Sequence, residues 1–179
     1  MKIITRIPDV PVTALDVFRL LPAGTRAEVI NNVLYMSPSP FFNHQKIITT
    51  LFLRLGNHIE DKKLGELIVA PFDVYLEEHI SAVQPDLLFI TNKNRKIIKD
   101  DGYAHGAPDL IIEILSQNEQ QDRTLKKDLY EKAGVKEYFI VDPKNKMTEA
   151  FVLKGKKYQQ GYSRKKYFQS ALLKLEFTF

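Results

Sequence analysis

The feature that most constrains the fold is a six-residue apolar run, Leu110 to Leu115, interrupted by a single acid, Glu113. Apart from the acid, the run reads as a strand covered on both faces. An ionised carboxylate buried without a partner is so costly that the group neutralises, pairs or binds a cation. Glu113 therefore needs a partner supplied from elsewhere in the chain. The same shape occurs upstream, where Val83-Gln-Pro-Asp86-Leu-Leu-Phe-Ile sets an acid at the start of another strand. Two acids on two strands can share a metal ion.

The surrounding segments place these strands in an α/β chain. Thr13 caps a short N-terminal helix that Pro22 and Gly24 stop, and Asn31-Asn32 suits a two-residue hairpin turn between Ala27-Glu-Val-Ile and Val33-Leu-Tyr-Met. Pro38 and Pro40 precede an amphipathic helix from Phe42 to Asp61, with apolar residues at three- to four-residue spacing and His44 in its first turn. A strand is expected from about Leu67 to Leu76, then the Asp86 and Glu113 strands. Gln117-Asn118 opens a helix over about Glu119 to Ala133 with Gly134 as its stop, and Glu137 to Asp142 forms another strand. A β-hairpin and one last strand, Leu172 to Phe179, complete the chain. The 179 residues read as one domain, 1–179: a core at about 42–142, an N-terminal helix and hairpin at about 12–36, and a β extension at about 147–179.

The absence of cysteine excludes disulfide frameworks and thiolate-ligated zinc and fits a reducing cytoplasm. With no signal-like h-region and no segment of membrane-spanning length, the expectation is a soluble cytoplasmic protein with no membrane partner. Net charge is +4, unevenly placed: residues 91–179 hold 18 Lys/Arg against 12 Asp/Glu, an excess of six. Lys154, Lys156, Lys157, Arg164, Lys165 and Lys166 interleave with Tyr158, Tyr162 and Tyr167. That tract suits a phosphate backbone and equally a solvated hairpin whose lysines protect its edges.

The order helix, three strands, helix, strand, with acids on the second and third strands, resembles the core of the PD-(D/E)xK nuclease superfamily, the restriction-endonuclease-like fold. More narrowly, the chain is similar to the bacterial Uma-type family of endonuclease relatives. The pieces that carry the resemblance are Arg26-Ala-Glu-Val-Ile, Tyr35-Met-Ser-Pro-Ser-Pro with His44, Ala70-Pro-Phe-Asp-Val-Tyr-Leu and Val83-Gln-Pro-Asp-Leu-Leu-Phe. They continue with Gly106-Ala-Pro-Asp-Leu-Ile-Ile-Glu-Ile-Leu-Ser, Asp122 with Lys126 and Tyr130, and Gly134-Val-Lys-Glu-Tyr-Phe-Ile-Val-Asp-Pro. The resemblance implies that Asp86 binds a metal and that Glu113 is the acid of the (D/E)xK element. Asp109 would lie roughly 13 Å along the strand from Glu113, too far to share an ion, and is expected to order the strand start.

The chain departs from the superfamily at the motif lysine, where Leu115 stands, and at Ser116-Gln-Asn-Glu, where relatives carry Ser-Pro-Ser/Thr. A replacement lysine can come from the following helix. At about 100° per residue from Leu125, Lys126 borders the sheet-facing stripe with Leu129 and Asp122, whereas Lys127 turns to solvent. The resemblance favours Lys126 too. Carboxylate oxygens of Asp86 and Glu113, with the Ile114 carbonyl, suit Mg²⁺ or Mn²⁺, and the implied reaction is hydrolysis of DNA phosphodiester bonds. Glu28 is either a further acid of the site or a cross-strand ion-pair residue. His44 either touches phosphate or carries a proton, or is a hydrogen-bonded structural residue. Asp122 either positions Lys126 or favours the helix start. A homodimer would bring two sites to a symmetric duplex. Two other readings remain: a non-catalytic scaffold binding nucleic acid or protein, and a metal hydrolase for another phosphate ester.

Overall fold

The computed structural model describes residues 11–77, 80–116 and 119–179. Thr13 caps helix α1 (Ala14–Arg19) in a reciprocal box with Asp16, which satisfies two otherwise orphaned backbone donors. Strands β1 (Ala27–Ile30) and β2 (Val33–Met36) pair through a turn at Asn31 and Asn32, with φ of 51° and 61°. Both values are positive, as the favoured two-residue hairpin requires. Helix α2 (Phe42–Asp61) buries His44, Ile47, Ile48, Leu51, Leu55 and Ile59 along one stripe.

Six strands, an α-helix and a further strand follow among the described residues before the C-terminal extension. They are β3 (Gly65–Val69), β4 (Val74–Glu77), β5 (Ser81–Val83), β6 (Leu87–Thr91), β7 (Ala104–His105) and β8 (Leu110–Ile114), then α3 (Lys127–Ala133) and β9 (Glu137–Val141). A 3₁₀ helix, Asn92–Ile97, separates β6 from β7, and a π-helix, Gln121–Lys126, runs directly into α3. Gly134, at φ 91°, ends α3 in the left-handed conformation that glycine adopts without strain. The extension is β10 (Met147–Lys154), β11 (Lys157–Lys165), β12 (Tyr167–Ser170) and β13 (Leu175–Thr178).

The main sheet has the order β11-β10-β9-β8-β6-β3, with only β8 and β9 parallel, and a second sheet has the order β2-β1-β5-β4-β7. Within the main sheet the expected order holds: α2, then β3, β6 and β8, then α3 and β9. The strand expected over Leu67 to Leu76 is instead two strands in two sheets. Pro71 cannot donate to a ladder, and the chain leaves the main sheet there. The single last strand is likewise a second hairpin, β12 with β13. The helix opening expected at Gln117-Asn118 and the N-terminal residues 1–10 lie outside the described residues.

Strand alternation sorts β8 between two cores. Leu110, Ile112 and Ile114 join Ile47, Leu51 and Leu55 of α2 and Phe168 of β12. Ile111 and Leu115 face the opposite way, toward Leu129 and Tyr130 of α3 and Ile30, Val74 and Val83 of the second sheet. Glu113 has the parity of Ile111 and Leu115, so it is buried under α3 and the preceding π-helix.

Candidate active site

Glu113 finds its partners on three elements. Its Oε1 accepts from Lys126 Nζ at 3.1 Å and from the Tyr130 hydroxyl at 2.6 Å. Lys126 also holds Glu28 Oε2 at 2.9 Å and Asp122 Oδ1 at 3.5 Å. An ammonium has three N–H donors, so Lys126 is fully engaged by three acids. Glu28 comes from β1, and its other oxygen accepts from the Gln84 backbone at 2.9 Å.

Asp86 arrives from the neighbouring strand. β6 pairs with β8 only as far as Leu87↔Ile112. Beyond that point side chains take over the ladder: Asp86 Oδ2 accepts from the Ile114 amide at 2.8 Å, and Glu113 Oε2 lies 3.4 Å from the Asp86 amide. His44, in the first turn of α2, sets Nε2 3.1 Å from the same Asp86 oxygen, while its Nδ1 is buried with no hydrogen-bond partner among the described residues. In a strand, a residue's N–H and C=O face the same edge, so the Ile114 carbonyl faces Asp86 as well.

The structure thus brings together Asp86, Glu113, Lys126, Glu28 and His44, with Ile114 at the strand edge. None of the five side-chain residues is more than 6 % exposed. Asp122 joins them as a partner of Lys126. Tyr130 enters as well; the resemblance includes it with Asp122 and Lys126, and its place four residues after Lys126 is one turn along a helix. Asp109 lies at the other end of β8, where its carboxylate accepts from Thr91 and Lys136 and orders the strand start.

Two expectations about the helix need correction. Lys127 does not turn to solvent: its Nζ sits 4.3 Å over the Phe151 ring centroid, a cation–π contact. Leu125, which heads the sheet-facing stripe in that angular projection, is 38 % exposed. Both follow from the π-helix, whose i→i+5 turns are wider than the α turns assumed in placing these residues. The Tyr138 hydroxyl braces that segment by donating to the Asp122 carbonyl at 2.9 Å.

Four buried carboxylates face one ammonium and one imidazole. Burial is the main reason the Glu113 carboxyl is held well above its ordinary range; Lys126 opposes the rise, while Asp122, Asp86 and Glu28 reinforce it. Asp122 is pushed up to about 6, again chiefly by burial. Burial disfavours charge on Lys126, but Glu113, Glu28 and Asp122 outweigh it and hold the ammonium protonated far beyond neutral pH. Among the described residues no group of three or more His, Cys, Asp or Glu side chains is arranged to hold a metal ion. Two carboxylates with a backbone carbonyl and water are nevertheless a donor set that Mg²⁺ accepts. Asp86 Oδ1 and Glu113 Oε2 are the oxygens least engaged by described residues. The surplus negative charge is what a divalent cation would offset, so the residues present fit one.

Compared with known families, residues 15–176 match Uma2, described as putative restriction endonuclease. No curated protein matches the chain. Among solved structures, a putative nuclease belonging to DUF820 from Anabaena variabilis superimposes with a TM-score of 0.72, covering 94 % of this chain and 95 % of that one at 16 % identity. The likeness establishes a shared fold, the restriction-endonuclease-like one.

Proposed function

The chain belongs to the Uma2 family of putative restriction endonucleases, and from that premise we propose that it is a metal-dependent endonuclease that hydrolyses DNA phosphodiester bonds. The observation that carries this reading is the meeting of Asp86 and Glu113 where β6 and β8 part, with the Lys126 ammonium 3.1 Å from Glu113. The lysine missing at Leu115 is thereby supplied from the helix.

Mg²⁺ or Mn²⁺ held by Asp86, Glu113 and the Ile114 carbonyl would polarise the scissile phosphate and acidify the attacking water. The chain's own groups do the positioning. His44 and the Ile114 amide fix one oxygen of Asp86, and the other takes part in neither contact. Tyr130 and Lys126 fix one oxygen of Glu113 in the same way. The weakest contact of Lys126 is Asp122 at 3.5 Å. Releasing it frees one N–H to orient water or to offset charge building on the phosphate oxygens.

One observation favours the alternative of a non-catalytic scaffold for nucleic acid or protein: all three Lys126 donors are already spent on acids of the centre. Nicking of supercoiled DNA and cutting of single-stranded DNA with Mg²⁺, Mn²⁺ or EDTA decides between them. The nuclease reading expects cleavage with either ion and none in EDTA. DNA binding without cleavage under every condition would leave the scaffold. We further propose that the protein acts in the cytoplasm as a homodimer, since two-fold symmetry would present two centres to a duplex. No described helix is long and apolar enough to cross a membrane.

A further inference from the structure

The basic tract of the C-terminal hairpin is one run in sequence but two surfaces in space. β10 and β11 pair with Lys154↔Lys157 at one end and Thr148↔Arg164 and Met147↔Lys165 at the other. Lys154, Lys156 and Lys157 therefore sit at one end of the hairpin, and Arg164, Lys165 and Lys166 sit at the other, about 25 Å away at ~3.3 Å per residue.

Register shows which end belongs with the centre. Ile114 pairs with Val141, Val141 with Thr148 and Thr148 with Arg164, one continuous row across four strands. Three interstrand steps put Arg164 about 14 Å from Ile114, and Asp86, across the other edge of β8, lies one step farther, at about 19 Å. The β9–β10 turn, which carries Lys144 and Lys146, projects from that same end of the sheet. The Lys154 end instead lies in register with Glu137 and Leu110, at the far end of β8.

Charge alone does not separate the two ends, since each carries two exposed lysines with no ion pair among the described residues, Lys154 and Lys156 at the far end and Lys165 and Lys166 at the near end; register does. At the far end Lys157 is held by Glu131 at 2.7 Å, Lys136 by Asp109, and Asp128 lines the same cleft. The Tyr158 amide and hydroxyl are also spent there, on Glu131 and the Val135 carbonyl. At the near end Lys165 and Lys166 are exposed and form no ion pair among the described residues, and Lys144, paired to Glu119 at 3.4 Å, is 78 % exposed. Arg164 lies 4.3 Å over the Tyr167 ring, which orients its guanidinium without neutralising it.

We propose that Lys144, Lys146, Arg164, Lys165 and Lys166 form the tip that grips the phosphate backbone of the nucleic acid on one side of the cleavage centre. This rests on the nuclease reading for its choice of partner. Nineteen ångströms is about six base steps of a duplex at ~3.4 Å each, so the tip meets the flank of the substrate while the scissile phosphate lies at Asp86 and Glu113. The far end of the hairpin makes no contact with the same duplex.

The test is the salt dependence of binding to a labelled 24-base-pair duplex in EDTA, which separates binding from cutting. Lys144→Gln/Lys165→Gln/Lys166→Asn is compared with Lys154→Gln/Lys156→Gln/Lys157→Gln, both checked for wild-type melting. Each variant removes three charges from the same hairpin region, so net charge alone predicts equal effects. Three lost phosphate contacts lower the slope of log K against log salt by about 2.7. The expected result is that loss for the near-end variant and an unchanged slope for the far-end variant. Equal losses, an unchanged near-end slope, or a wild type that binds no duplex would each overturn the proposal. Tip-dependent binding without metal-dependent cleavage would instead refute the cleavage reading alone.

Discussion

Lys126 is the residue on which the centre closes. Its ammonium joins acids from β1, β8 and its own π-helix turn, so three separate elements are tied through one buried cation. The arrangement has a pH signature. Asp122 is raised from an ordinary 3.8 to about 6 in the folded protein, so the native state holds that proton more tightly than the unfolded chain. The resulting stability is fully present below about 3.8 and is lost as pH rises through about 6. Glu113 is shifted in the same direction. In EDTA, Asp122→Asn is therefore expected to gain stability relative to wild type as pH rises from 4.5 to 7.5. Urea midpoints at the two pH values check this, and a variant that loses ground with rising pH would contradict it. Asp86 and Glu113 were legible in the sequence because an acid inside or beside a wholly apolar strand has few physical excuses. Tyr130 was visible only as part of the resemblance and without a role, because a tyrosine on a buried helix face satisfies the core whether or not its hydroxyl reaches Glu113.

The π-helix is the element that aims Lys126. Sequence periodicity at 100° per residue picked Lys126 over Lys127, yet the same periodicity placed Leu125, which is 38 % exposed, toward the sheet and Lys127, which is half-buried over Phe151, toward water. Nothing local in Gln-Asp-Arg-Thr-Leu-Lys encodes an i→i+5 turn; the brace from Tyr138 to the Asp122 carbonyl is a tertiary contact. Deleting the exposed Thr124 removes the residue that an α-helix has no room for. The expected outcome is retained helical circular dichroism with cleavage reduced at least ~100-fold, as expected when a positioned electrostatic group is lost. Undiminished cleavage by the deletion variant would mean that the π turn does not aim the lysine. The long helix α2 and the Asn31-Asn32 hairpin, by contrast, matched their sequence signals because apolar stripe, proline punctuation and turn chemistry all agreed.

Across the whole molecule, the main sheet builds the centre and the second sheet contributes one acid to it. The order α2, three strands, α3, β9 was readable because β3, β6, β8 and β9 each carry an apolar run long enough to be recognised. The second sheet was harder to read: β4, β5 and β7 are two to four residues long, and the pairing of β5 with β1 and of β4 with β5 and β7 is set by packing that no local pattern records. That sheet nevertheless delivers Glu28 to Lys126, so the centre depends on both. The most direct test of this account is the rate at which supercoiled DNA is nicked in saturating Mn²⁺ by wild type, Glu113→Gln and Lys126→Ala, each shown to be folded. The account predicts metal-dependent nicking by wild type and a loss of at least ~100-fold in both variants. Nicking that survives Glu113→Gln at the wild-type rate would contradict it.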